Sequence, residues 1–563
     1  GSNLLCIQTH NATLFSSDMS SRVFLSLGIN NTSNDYNPTP IWFTAPILLF
    51  DSNLPIVVVN TNNVSIPDEP KIDAFMGIIY NGPGARNYMS DPFNEYQGDI
   101  GIERRGSSSG GFPKKAYGLE TRGPNGENNN VNLFGWPADN DWILYAPYSD
   151  KSLIRNVLTY HLGNETGHYA PRTQLCELVI NGNYQGVYVL MERIKQSPGR
   201  VNVDKLTIAD TLNNELSGGY IVKIDKFTAG GILAWISPIP PYVGAPVPIS
   251  YQFHDPEFDT LLPVQKQYIE NYITDFELAL DGANFTDPVL GYQPYIDLMS
   301  FIDYMIINEI SRNVDGYRLS SYFHKHRVSE GGKLVAGPLW DFNLAWGNAN
   351  YCNGSVIAGW EIDFELVCGG GGFQNPFWWK KFVQDPFFTN VLNCRWQELR
   401  QDVLHKDSLF AYIDTLAAHL NESQARNFQK WQILGTYVWP NNFIGNTHAE
   451  EITYLKTWIN ARIDWIDANM FGSCTNLGTD ETAFAQIKVY PNPSSSDVNF
   501  DFGQILNQAR LVLYDQLGKE MMSVNIDNES KLNLDLSDLS KGLYYYNIYD
   551  KGEIKKSGKL IRQ

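Results

Sequence analysis

Asp341 stands in GPLWDFNLAWGN (337–348), a stretch made mostly of large apolar side chains. A carboxylate drawn out of water among such neighbours costs on the order of several kcal/mol unless something compensates it. Three partners are open at this point: a helix N-terminus that it caps, a cation of the chain, or a metal ion. Asp315, in ISRNVDGYRLSSYFHKH (310–326), follows a helical pattern and precedes Gly316. An acid so placed is either a general base for a hydroxyl or an Asx turn before glycine. Between the two acids SSYFHKHRVSEGGKLVAGPLW is patterned as a strand hairpin, so both converge at one end of it. A loop acid, a hairpin and then a metal-holding acid is a layout that suits phosphoryl transfer.

A third stretch, RGSSSGGFPKK (105–115), lies between two strand patterns. Its glycines and serines offer backbone N–H groups and hydroxyls to an anion, and the lysine pair behind them could reach a phosphate. It is not a Walker A loop, since GxxxxGK[ST] is absent, and a plain hairpin tip reads the same way. His324 and His326 share one face of a strand, as a metal pair or simply as an exposed face. Trp378 and Trp379, in FWWKKF (377–382), fit core packing better than a carbohydrate platform. The sequons at Asn11, Asn284 and Asn353 are what a chain rich in Asn, Ser and Thr produces by accident.

The elements that must hold these residues change along the chain. Residues 1–53 form a poorly patterned lead-in or a small β-rich piece. Strand patterns follow at 54–61, 72–81, 96–105 and 114–122, and WILYAPYSD (142–150) leads into a helical pattern that ends near Gly163. LCELVINGNYQGVYVLMERI (175–194) reads as a hairpin turned at Asn-Gly, and SGGYIVKIDK (217–226) as another strand. From about residue 259 the 3.6-residue period dominates, in VQKQYIENYITDFELAL, YIDLMSFIDYMIINEISRNVD, FVQDPFFTNVLNCRWQELRQDVL and EEITYLKTWINARIDWIDANM. A polar linker, 475–486, separates these from short strands with regular turns over 487–563, the outline of a small β-sandwich. The expected class is therefore α+β: a two-lobed core over 54–474, β-rich to about 258 and helical beyond, followed by an all-β domain.

The bulk properties narrow the partners. A net charge of −19 over 563 residues leaves no basic surplus for a nucleic-acid backbone and is compatible with a basic protein partner. No apolar run is long enough to span a membrane. The chain opens GSNLLCIQTH without a leader pattern, and its Gly-Ser reads as a cloning remnant on a trimmed chain. Six cysteines include no CxxC pair, which argues against zinc. Cys352 with Cys368 and Cys394 with Cys474 could form two disulfides, with Cys6 and Cys176 left over or paired, or all could be buried thiols.

The ordered series RGSSSGGFPKKAYGLE, DNDWILYAPYSDKSLIRN, VINGNYQGVYVLMERI, SGGYIVKIDK, NEISRNVDGYR and GPLWDFN resembles the CotH family of spore-coat-protein-H-like atypical protein kinases, over about 54–470. That resemblance implies an ATP site using Mg²⁺ or Mn²⁺. Lys115, or its neighbour Lys114, would grip the phosphates under a loop of Gly106, Ser107, Ser108 and Ser109. Asp150 and Arg155 would anchor the first helix or touch phosphate, and Met191 and Glu192 would lie where adenine is met. Asp315 would be the catalytic base and Asp341 a metal ligand, with Asn343 supplying a further oxygen. Ser320 stands where protein kinases place a metal-binding Asn, and Asn343 where they place the glycine of DFG; both departures bear on turnover. The tail (VYPNPSSS, LYDQLGKE, LDLSDLSKGLYYYNIYD, KSGKLIRQ) resembles the C-terminal sorting domain of the type IX secretion system. It implies export through the periplasm of a Bacteroidetes-type bacterium to a secreted or surface location, with that machinery as partner. The oxidising route favours the disulfides.

Two functions follow. One is an exported atypical protein kinase that moves the γ-phosphoryl group of ATP to Ser, Thr or Tyr of a protein. The other is a surface scaffold for adhesion, assembly or glycan contact that keeps the kinase fold with little or no catalysis. Nucleotidyl transfer on the same site is a third outcome.

Overall fold

A sheet that closes on itself buries one face of every strand in a shared interior, and seven strands do so here. In the computed structural model, which describes residues 47–226, 235–369, 372–475, 487–506, 509–515, 519–550 and 553–562, the strands are β1 (Ile56–Asn60), β2 (Ile72–Ile79), β3 (Tyr96–Arg105), β4 (Ala116–Arg122), β5 (Asp141–Tyr145), β6 (Thr173–Ile180) and β7 (Asn183–Glu192). They form a closed barrel in the order β1-β2-β3-β4-β5-β7-β6. Every neighbouring pair is antiparallel except the closing one, where β1 runs parallel to β6 with Ile56 opposite Glu177. Tyr117 and Leu119 of β4 and Tyr188 and Leu190 of β7 fill the interior. Val187, Val189 and Met191 on the other face of β7 join the helical core, so that strand is buried almost throughout. The β6–β7 turn is the expected Asn-Gly turn, with φ of 49° at Asn181 and 74° at Gly182.

Beyond the barrel come α1 (Arg155–Glu165), α2 (Pro263–Asp281), α3 (Leu298–Ser311), α4 (Pro386–Arg400), α5 (Lys406–His419), α6 (Ser423–Lys430) and α7 (His448–Asn469). The helices expected from the 3.6-residue period are all present. Helix α3 is buried on nearly every face, capped at its start by Asp297, whose carboxylate accepts the Ser300 N–H at 2.9 Å. It stops where Arg312 turns left-handed, at φ 44°. Trp378 and Trp379 are fully buried against Phe301, so they are core residues rather than a sugar platform.

A five-stranded sheet crosses the boundary expected near 258. It comprises β8 (Tyr220–Ile224), β9 (Trp235–Ile236), β10 (Ser250–Asp255), β11 (Ser321–Lys325) and β12 (Leu334–Ala336), in the order β9-β10-β8-β11-β12. A β-rich half followed by a helical half is therefore too simple. The hairpin β11–β12 was legible, but its pairing with β8, a hundred residues upstream, was not.

The C-terminal part is all β, as expected. Strands β13 (Lys488–Tyr490), β14 (Asp497–Leu506), β15 (Ala509–Tyr514), β16 (Glu520–Ile526), β17 (Glu529–Asp535), β18 (Gly542–Asp550) and β19 (Glu553–Arg562) form two sheets, β13-β14-β17 and β16-β15-β18-β19. Val498, Phe500, Leu511, Leu513 and Ile548 are among the residues of their shared core. Cys352 is bonded to Cys368 and Cys394 to Cys474, while Cys176 is a buried thiol in the barrel. The lead-in up to residue 46, Cys6, Asn11 and the linker from 476 lie outside the described residues.

Candidate active site

Helix α1 fixes the segment that carries Asp341. The Asp341 N–H donates to the Tyr160 hydroxyl at 3.1 Å, the Phe342 N–H to Asn156 Oδ1 at 2.8 Å, and the Trp346 indole to Thr159 Oγ1 at 2.8 Å. Trp340 stacks on Tyr160 with centroids 6.2 Å apart. The backbone at Asp341 is left-handed, φ 64°, a conformation that costs about 1 kcal/mol or more outside glycine and persists where surroundings impose it. No helix starts there, and among the described residues no hydrogen bond or ion pair reaches its carboxylate. Among the described residues the cap and the ion pair are thereby both absent. Burial pushes the carboxyl up to about 6, helped by Asp315 and Asp225 and opposed by Lys226 and Arg105.

Asp315 sits on the loop after α3, and the hairpin β11–β12 brings it to the same end as Asp341, as the sequence suggested. Its carboxylate accepts from Arg318 Nη2 at 2.7 Å rather than closing an Asx turn. Burial raises its pKa, with Arg318 and Lys226 pulling the other way. Asp225, at the end of β8, is the third acid; Lys223 lies 3.4 Å from it and its Oδ1 accepts the Lys226 N–H at 2.9 Å.

These residues line one cavity of about 610 Å³. The same cavity is lined by the loop Gly106–Ser109 and by Arg105, Arg193 and Lys226. Gly106 has φ 105°, and a Cβ there would lie 2.2 Å from Ser109 Oγ, so the loop fold requires glycine. Lys226 Nζ donates to Ser108 Oγ at 3.2 Å. The Arg105 guanidinium lies 5.5 Å over the Trp340 ring and has no carboxylate partner among the described residues. Carboxylates and cations thus line one space large enough for a nucleotide.

Of the residues singled out from the sequence, Gly106, Ser107, Ser108, Ser109, Met191, Asp315, Asp341 and Asn343 line this cavity, as does Ser320. Lys114, Lys115, Arg155 and Glu192 do not. Lys114 is buried; its ammonium donates to the Val187 carbonyl at 2.5 Å and Asn427 Oδ1 at 2.9 Å, and burial pulls its pKa down to about 7. Lys115 donates to the Gly110 carbonyl at 2.6 Å, tying the loop rather than facing the cavity. Arg155 pairs with Asp150 at 2.6 Å, the anchoring alternative, and Glu192 pairs with Arg172 at 2.8 Å. Neighbouring residues of an extended chain point to opposite sides, which is why a lysine pair cannot act together.

Arg105, Asp225 and Lys226 were missed. Each was visible, Arg105 at the head of the serine loop and Asp225–Lys226 at the end of a strand pattern, but nothing local marks a strand-end acid as facing a cavity. Of the two histidines, His324 bonds the Gly337 carbonyl at 3.2 Å, and burial lowers its pKa to about 4. Among the described residues no three His, Cys, Asp or Glu side chains are grouped to hold a metal. Asp341 and Asn343 both line the cavity and offer oxygen donors, the kind that Mg²⁺ and Mn²⁺ take.

Comparison with known proteins agrees with both resemblances. Residues 488–563 match a secretion system C-terminal sorting domain, which points to export and a secreted or cell-surface location. No helix among the described residues is long and apolar enough to cross a membrane. The inner spore coat protein H of Bacillus subtilis (strain 168) is 29% identical over 103 residues, 18% of this chain and 26% of that protein. The chain thus spans about a quarter of that relative's length. Residues 102–466 match the CotH kinase protein family, and the chain belongs to it.

Proposed function

We propose that this protein is an exported atypical protein kinase. The observation that carries the reading is Asp341: a carboxylate held in a left-handed backbone, without a cation partner among the described residues, lining one cavity with Asp315 and the serine loop. Residues 54–474 form the two-lobed kinase-like core, 475–486 the linker and 487–563 the domain read by the type IX machinery. A protein hydroxyl attacks the γ-phosphorus of ATP, the bond to the β-phosphate oxygen breaks, and ADP leaves. Asp315 accepts the hydroxyl proton, and Arg318 orients that carboxylate. Arg105 and Lys226, with the N–H groups of the loop Gly106–Ser109, hold the phosphates in the role expected of the lysine pair. Met191 lies in the wall that meets the base. Asp341 and Asn343 would hold Mg²⁺ or Mn²⁺, which when bound neutralises phosphate charge. Most of the catalysis is positioning and charge neutralisation.

The test is the melting temperature with and without Mg²⁺ or Mn²⁺ plus ATP, for the wild type and Asp341→Asn, followed by transfer from γ-labelled ATP to basic and acidic acceptor proteins. At 100 times its dissociation constant the nucleotide adds about 2.7 kcal/mol, an evident shift that the variant loses. Phosphate on the acceptor supports the kinase and AMP on it the nucleotidyl transferase. No metal-dependent shift and no modification would return the protein to a surface scaffold.

A further inference from the structure

The loop closed by Cys352 and Cys368 is packed on both sides of the residue read as the base. Arg312, 2% exposed, begins the Asp315 loop, and its guanidinium donates to the carbonyls of Asn353 (2.8 Å), Ala358 (2.9 Å) and Gly359 (2.5 Å), all inside the disulfide ring. A Cβ on Gly354 would lie 2.4 Å from Val314 Cγ1, so the ring touches the residue before Asp315 with no room to spare. Arg318, the only hydrogen-bond partner of the Asp315 carboxylate among the described residues, stacks at 4.3 Å on Phe364 of the same ring. Arg318 also donates to Phe373 O at 3.5 Å. The ring is tied below as well: Glu309 of α3 accepts the N–H groups of Glu361 (2.7 Å) and Ile362 (2.9 Å), and Arg462 of α7 donates to the carbonyls of Ile357 and Gly359. Tyr351, next to Cys352, lines the cavity.

We propose that the Cys352–Cys368 disulfide is a positioning element for catalysis, holding Arg312 and Arg318 so that Asp315 faces the acceptor, and that transfer is therefore switched on only after export. The inference rests on the kinase reading. Without the bond, the segment 352–368 regains the freedom of an open chain, and the carbonyls that hold Arg312 are no longer fixed relative to one another. Disulfides do not persist in a reducing cytosol and form along an oxidising export route. In forming the bond the two thiols lose two protons and two electrons, and a disulfide oxidant is reduced to two thiols. The second bond, Cys394–Cys474, joins α4 to the segment after α7, and neither cysteine lines the cavity, which makes it an internal control.

Two full-length double variants test this, Cys352→Ser with Cys368→Ser and Cys394→Ser with Cys474→Ser, both assayed below their melting temperatures. The first loses at least tenfold in kcat for transfer while KM for ATP stays within threefold; the second melts lower but keeps kcat. Arg312→Lys in the oxidised protein reproduces the kcat loss, because an ammonium cannot span three carbonyls. Reduced wild type regains kcat with oxidised glutathione, in step with formation of the bond between residues 352 and 368. Amide exchange over 312–319 rises in the first variant and not in the second, a readout that needs no catalysis. Looser amides with no transfer in any form would sink the kinase reading and leave the brace standing. Transfer that persists within twofold in the first variant would overturn the positioning role, whatever the amides do.

Discussion

Helix α1 is bordered by two aspartates that the protein treats in opposite ways. At its start Asp150 is 1% exposed and fully engaged. Its Oδ1 accepts from Ser152 Oγ and Arg155 Nη1, each at 2.6 Å, and its Oδ2 from the Arg155 N–H at 2.9 Å. Alongside the same helix Asp341 is held by its backbone N–H alone and its carboxylate has no donor among the described residues. A carboxylate surrounded by donors is already neutralised and serves the fold. One placed beside two other acids and left without donors destabilises the free protein, and its charge becomes useful only when something cationic arrives.

The largest expected effect breaks the first half of that contrast. Asp150→Ala strands the buried Arg155 guanidinium and costs about 3–5 kcal/mol in urea denaturation. Asp341→Asn, which relieves repulsion, leaves unfolding free energy unchanged or raises it by about 1 kcal/mol in the absence of nucleotide. If the two substitutions destabilised equally, Asp341 would be structural and the cavity reading would fall.

A second buried acid sharpens the comparison through pH. Glu361 is 1% exposed, neither of its oxygens has a hydrogen-bond partner among the described residues, and Arg312 lies 3.9 Å away. Burial raises it to about 8, with Glu309 adding to the shift and Arg312, Arg318 and Arg462 opposing it. The folded value lies above the unfolded one near 4.5, so the contribution is complete below about pH 4.5 and is lost as pH rises through 8. The wild type should therefore lose about 4 kcal/mol between pH 5 and 9 relative to Glu361→Gln, measured by denaturant midpoints. Parallel curves for the two proteins would mean that Arg312 keeps Glu361 charged throughout.

Much of this was legible in the sequence, and the part that was not has a physical reason. Periodicity revealed the helices because burial on one side of a 3.6-residue turn leaves a local trace. Asn181-Gly182 revealed its turn because both positions need positive φ. Asp341 was visible because an acid among apolar residues is costly and must be compensated, and Asp315 because an acid after a helical pattern and before glycine is a base or a turn. Barrel closure was not, since β1 meets β6 across more than a hundred residues and both read as ordinary strands. Asp225 was not, because a strand-end acid looks the same whether it faces a cavity or water.

The smallest effects decide which cations face the phosphates, the point on which motif and geometry part. The lysine pair of FPKK looks like the phosphate grip, yet Lys114 is inside the protein and Lys115 holds its own loop. Arg105 and Lys226 line the cavity and are paired with no carboxylate among the described residues. Replacing either by Ala should weaken Mg²⁺–ATP binding about tenfold, or about 1.4 kcal/mol, in a calorimetric titration. Lys115→Ala removes one bond to a loop carbonyl and should cost no more than about threefold. The order matters more than the sizes. Were Lys115→Ala the worst of the three, the loop would have to swing so that Lys115 leaves Gly110 and enters the cavity when nucleotide binds. The wall of Arg105 and Lys226 would then be an arrangement of the empty protein only.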